Sequence, residues 1–239
     1  AGKRDVVNEA FRVLRTNLEF TIGTHPEQNV ILFTSFNPGS GKSHLSANMA
    51  MSLAIKKKKV LLIDGDLRRG VTSLLAGSPR EGLSDFLNGR VDDIHSIICK
   101  GENCKDLVPG FDVLPVGTLP PNPTELLFTP RLEAMIKQVR QVYDYVIIDC
   151  PPVEVVADTQ ILEQFADRTI FVVRAGLMER SMLPEIDALY KEKKYKNMTL
   201  VLNGTKASGG RYGKHYGYGY GYGYDYHYGN DKNGGQNLK

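Results

Sequence analysis

Apolar residues along this chain fall into two kinds of pattern. Near the N-terminus Val7, Phe11, Leu14 and Leu18 recur at four- and three-residue spacing, the apolar stripe of a helix over 4–20. Glu9, Arg12 and Arg15 lie off that stripe, on faces turned to solvent or to a partner. Farther on come short apolar runs without period-two alternation: 29–36 (NVILFTSF), 59–66 (KVLLIDGD), 110–117 (GFDVLPVG), 143–150 (YDYVIIDC), 168–176 (RTIFVVRAG) and 198–205 (MTLVLNGT). Such runs read as strands covered on both faces. Helical spacing marks the segments between them, at 41–57, 82–89, 123–143, 158–166 and 181–195, with a break expected near Pro130. Strands interleaved with helices predict an α/β fold, a mostly parallel sheet with helices on both faces.

The pattern stops near residue 206. Residues 207–239 are rich in glycine and nearly free of aliphatic side chains, and they carry Tyr212, Tyr216, Tyr218, Tyr220, Tyr222, Tyr224, Tyr226 and Tyr228. Such a segment buries too little surface to offset its ordering entropy, so a flexible tail over 207–239 is expected beside one domain over 1–206.

Composition adds exclusions. Hydrophobic content of 41% is ordinary for a globular domain, and a net charge of +3 is too small to argue for nucleic acid or membrane binding. There is no run of about 18 apolar residues and no signal-peptide pattern. Cys99, Cys104 and Cys150 have no metal-ligand spacing; the first two could bridge, but an odd count fits a reducing compartment better. A start at Ala1 inside a helical pattern suggests a piece of a longer protein.

The chemistry gathers after the strands. SFNPGSGKSH follows the first central strand and opens a helix. Small residues Gly39, Ser40 and Gly41 let consecutive backbone N–H groups curl round phosphate oxygens, Lys42 reaches the β/γ-phosphates, and the Ser43 hydroxyl suits Mg²⁺. The general P-loop spelling wants glycine where Phe36 stands, so placement between strand and helix carries the assignment. Asp64 and Asp66 close the second strand and Asp149 closes the fourth, at the sheet edge where α/β proteins bind ligands. Any one of them could instead cap a helix; three beside a P-loop point to a metal and a γ-phosphate. Arg68 is equally readable as a solvated loop charge or a functional residue.

Together these motifs resemble the bacterial protein-tyrosine kinases, over residues 8–206. PGSGKS resembles the family's Walker A motif, LLIDGDLR its second, D-x-D-x-R motif, VIIDCPP its Walker B, and LPPNPTELL (119–127) its loop before the long helix. Cys150 stands where the family usually has Ser or Thr, and His44 replaces a frequent Thr. Asn37-Pro38 stands where the related partitioning and division-site ATPases carry a second lysine. The resemblance implies a P-loop NTPase-like fold and transfer of the γ-phosphate of ATP, with Mg²⁺, to the C-terminal tyrosines. It places Pro38 to His44 round the phosphates, Ser43 on Mg²⁺, and Asp66 and Asp149 on its waters. Asp64 becomes the base for the phenol, although the sequence alone does not separate it from Asp66. Asn203 is as readable as an adenine contact as it is as a turn residue. Glu9, Arg12 and Arg15 reproduce E-x-x-R-x-x-R, through which family members pack into homo-oligomeric rings. The resemblance also implies an upstream membrane-spanning activator region, a tyrosine phosphatase partner, no nucleic acid, and a place at the cytoplasmic face of the inner membrane in capsule or exopolysaccharide export. The alternative is a non-kinase deviant-Walker ATPase that positions macromolecules.

Overall fold

The computed structural model describes residues 3–22, 27–105, 107–153 and 157–205, with the side chains of the first helix from residue 8 onward. Helix α1 (Lys3–Ile22) leads into β1 (Val30–Ser35), α2 (Lys42–Ala54), β2 (Val60–Asp64), α3 (Leu83–Leu87) and β3 (Phe111–Leu114). There follow α4 (Pro123–Leu127), α5 (Pro130–Val142), β4 (Tyr145–Asp149), α6 (Asp158–Glu163), β5 (Arg168–Arg174), α7 (Leu183–Lys191) and β6 (Thr199–Asn203). The strands form one sheet in the order β3-β2-β4-β1-β5-β6, every pairing parallel. One compact unit covers Ala1–Asn203; of the second, Gly204–Lys239, only Gly204 and Thr205 are described. The expected flexible tail and its eight tyrosines therefore lie outside the described residues.

Adjacent strand residues point to opposite faces, and both faces are apolar. Ile31 and Phe33 pack with Leu18 of α1 and with Leu45, Met49 and Leu53 of α2. Val30 and Leu32 pack with Leu132, Met135 and Ile136 of α5 and with Ile161 and Leu162 of α6. This double cover is why the strands lack polar alternation. It also sets the site. β1 and β4 are neighbours, but the helices that follow them lie on opposite faces, so a crevice opens beyond their carboxyl ends.

Elements are shorter than the pattern expects. The strand expected over 110–117, whose prolines and glycines suggest an early end, does stop early, at Leu114, because Pro115 has no N–H for the ladder, although its carbonyl still accepts from Leu83 N. The break at Pro130 is present: α4 ends at Leu127 and α5 starts at Pro130, where the missing N–H is harmless. Short 3₁₀ turns at Thr72–Ala76 and Ile94–Ile97 have no period long enough to read from sequence.

Two expectations need correction. Arg15 is not on an open face: it is 8% exposed, and its Nη1 donates to the carbonyl and hydroxyl of Ser52 at 2.7 and 3.0 Å, tying α1 to α2. Cys99 and Cys104 are joined in a disulfide rather than free, brought together where Cys99 bridges Val113 at the sheet edge. Cys150 alone is free, and it is fully buried.

Candidate active site

The loop between β1 and α2 is shaped by two glycines. Gly39 and Gly41 sit at φ +77° and +88°, where a side chain is strained, and a Cβ on Gly41 would lie 2.4 Å from Asn203 Nδ2. The loop's carbonyls are held from outside. Ser35 and Ser40 hydroxyls donate to Asn37 O at 2.9 and 2.8 Å, Arg174 Nη1 donates to Gly39 O at 2.8 Å, and Asn203 Nδ2 donates to Ser40 O at 2.9 Å. A loop anchored through its carbonyls offers its N–H groups to an anion, and the thirteen-residue α2 behind it has no side-chain cap. Asn203 thus braces the P-loop backbone, a role that sequence reading did not assign. Arg174 was missed altogether; a basic residue ending a buried strand is its only signal. Pro38 is exposed. His44 is exposed too, its ring edge-on to Phe11 at 6.4 Å and its carbonyl accepting from Asn48.

Lys42 opens α2 and is 9% exposed, with Nζ 3.3 Å from Ser43 Oγ and 3.9 Å from Asp149 Oδ1. Asp149 is fully buried at the end of β4, opposite Asp64 in the ladder. Among the described residues neither of its carboxylate oxygens accepts a hydrogen bond, and no other buried carboxylate leaves both oxygens without one. Burial pushes its pKa up to about 7, against the pull of the Lys42 ammonium and the Ser43 hydroxyl and with help from the charges of Asp64 and Asp66.

Asp64 is also fully buried, and burial raises its pKa. Ser73 donates to its Oδ2 twice, from N and from Oγ, both at 2.7 Å, while Oδ1 has no partner among the described residues. Ser73 also carries no motif; it lies in the 3₁₀ turn that the sequence does not announce. Asp66 is 3% exposed and accepts from Arg69 N at 3.2 Å. Arg68 is held by two protein partners. Its Nε meets Asp158 Oδ2 at 3.1 Å, its Nη2 meets Thr124 Oγ1 at 3.0 Å, and Thr124 donates to Asp158 Oδ1 at 2.5 Å. The fully buried Asp158 thereby ties the D-x-D-x-R loop to the start of α4.

The structure therefore gathers Lys42, Ser43 and Asp149 at one place, electrostatically coupled to Asp64 and Asp66. It holds Arg68 and Asn203 through protein contacts and leaves Glu9 and Arg12 paired with each other at 3.0 Å on an exposed helix face. No cluster of three or more His, Cys, Asp or Glu that could enclose a metal occurs among the described residues. A divalent ion here would draw most of its ligands from water and phosphate, which is how Mg²⁺ is ordinarily held at nucleotide sites. The orphaned oxygens of Asp149 and the hydroxyl of Ser43 fit that arrangement.

A protein-family model described as an AAA domain matches residues 28–196. The chain is 34% identical over 209 residues to the tyrosine-protein kinase CpsD of Streptococcus agalactiae, covering 87% of each. It is 37% identical over 188 residues to the putative tyrosine-protein kinase AmsA of Erwinia amylovora, covering 78% of this chain and 24% of that one. The chain thus spans most of one relative's length and about a quarter of the other's. Its fold matches the kinase domain of the Escherichia coli tyrosine kinase ETK with a TM-score of 0.74 at 33% identity, over 91% of this chain and 80% of that one.

Proposed function

The chain belongs to the bacterial tyrosine-protein kinase family, and we propose that its reaction is transfer of the γ-phosphoryl group of ATP to tyrosines of its own C-terminal cluster. The observation that carries this reading is Asp149: a fully buried carboxylate with no hydrogen bond among the described residues, 3.9 Å from the P-loop lysine. Leaving such a group buried is costly unless a ligand completes it.

The residues divide the work. The loop amides from Pro38 to His44 and the Lys42 ammonium hold the β/γ-phosphates and stabilise charge on the transferring group. Ser43 would hold Mg²⁺, with Asp66 and Asp149 orienting its waters, and the ion would neutralise phosphate charge. Asp64 Oδ1 takes the phenol proton, since its Oδ2 is committed to Ser73 and its raised pKa strengthens it as a base. As the tyrosine oxygen bonds to the γ-phosphorus, the bridging bond to the β-phosphate breaks and ADP leaves. Arg68 positions the loop that bears Asp64 and Asp66 through Asp158 and Thr124.

The remaining roles follow the resemblance. Glu9 and Arg12 are exposed and make self-association contacts with a second copy, while Arg15 serves by fixing α1 on α2. The domain works at the cytoplasmic face of the inner membrane beside a membrane-spanning activator region, regulates capsule or exopolysaccharide export, and is reset by a tyrosine phosphatase. The test is direct. Incubated with MgATP, the chain acquires phosphotyrosine between Tyr212 and Tyr228, mapped by mass spectrometry, and Lys42→Met does not. Normal ATP hydrolysis with no phosphotyrosine there would instead favour an ATPase that positions other macromolecules.

A further inference from the structure

The edge of the sheet opposite the nucleotide site carries a second unusual surface. The run Ile55-Lys56-Lys57-Lys58-Lys59 leaves α2 and enters β2, so it lies at the amino ends of the strands, whereas the P-loop lies at their carboxyl ends. Lys57 adopts φ +63° in the tight turn. Lys56 reaches Glu19 at 3.2 Å, which places the last turn of α1 beside this run. Phe20, next in α1, is 79% exposed and Ile55 is 69% exposed. On the other side Lys59 N donates to Asp144 Oδ2 at 2.7 Å, bringing in the end of α5 with Val142, 47% exposed.

Four ammonium groups thus face two carboxylates, Glu19 and Asp144, and Lys57, Lys58 and Lys59 make no ion pair among the described residues. Large apolar side chains held out beside unpaired amines suit one kind of surface well. The rings and aliphatic groups enter the headgroup–acyl boundary while the amines meet anionic headgroups. A polyanion such as nucleic acid would use the amines but leave Phe20 and Ile55 in water.

We propose that this face rests on the surface of an anionic lipid bilayer, which turns the nucleotide site away from the membrane. The near-neutral charge of the whole chain hides the patch because its cations are local. Each lysine close to an anionic leaflet strengthens binding roughly fivefold, so the cluster binds weakly and salt-sensitively by itself and orients a domain held nearby.

The test is co-sedimentation of the full chain at low salt with vesicles of phosphatidylglycerol and phosphatidylcholine, against phosphatidylcholine alone. Binding is expected only to the anionic vesicles. It should weaken roughly 100-fold in the combined variant Lys57→Glu, Lys58→Glu, Lys59→Glu, and should weaken in Phe20→Ser, with ATP hydrolysis and the melting temperature unchanged in both. Equal binding to both vesicle types, no binding to either, or undiminished binding by the lysine variant would overturn the proposal. So would vesicle-independent behaviour in which Phe20→Ser splits an oligomer in light scattering, since the face would then meet a second copy.

Discussion

At the amino ends of the strands, buried Asn29 and half-buried Asp167 and Arg140 hold the fold together. Asp167 accepts from Val30 N at 2.9 Å and from Arg140 at 2.5 Å, and Asn29 donates to two carbonyls at the end of α5 and just beyond it. At the carboxyl ends, among the described residues, Asp149 is buried with neither oxygen hydrogen-bonded, and Asp64 has one oxygen without a hydrogen bond. The first arrangement stabilises the fold directly. The second leaves Asp149 with only the Lys42 ammonium, 3.9 Å away, to offset its burial, and on the proposed function a ligand completes it. A fold that is locally consistent elsewhere departs from that consistency where it works.

Substitutions at the two ends should therefore separate activity from stability. The largest effect is expected from Lys42→Met, which removes the cation facing Asp149: tyrosine phosphorylation should fall by about 10²–10³-fold or more, measured as initial rate with MgATP. Next is Asp149→Asn. Its folded pKa of about 7 lies above the ordinary 3.8, so the folded state favours the proton. That contribution to stability is full below the ordinary pKa and is lost as pH rises through about 7. Thermal melting without nucleotide should show wild type losing stability over this window and the Asn variant not, a gain for the variant on the order of a few kcal/mol at high pH. At the other end, Arg140→Ala should destabilise by about 1–2 kcal/mol while leaving activity per folded molecule intact, as judged by denaturant melts beside rate measurements. Lys56→Ala removes only an exposed pair with Glu19 and should shift stability by less than about 0.5 kcal/mol. A large activity loss from Arg140→Ala would break the division of labour between the ends.

Much of this was legible in the chain. Continuous apolar runs announced a doubly covered sheet, and Pro130 announced a break between helices, because both effects are local. The glycines, Lys42 and the strand-ending aspartates announced the candidate site, because phosphate chemistry demands those residue types in that order. What stayed hidden depends on tertiary approach. Arg15 reads as a surface charge by periodicity yet reaches across to Ser52. Arg68 reads equally as a loop charge or a functional residue, and the sequence does not show that Asp158, ninety positions later, holds it. Ser73 and Arg174 support the site from segments without any motif.

The central claim is that Asp149, buried without a hydrogen bond among the described residues and 3.9 Å from Lys42, gives up a proton when a metal-bound nucleotide binds. It is tested most directly by titrating MgATP into the chain just below its pKa of about 7, in two buffers of different ionisation enthalpy, with calorimetric detection. Net proton release on binding is expected, together with its loss in Asp149→Asn. Binding with no proton release, or with the same release in the Asn variant, would contradict it.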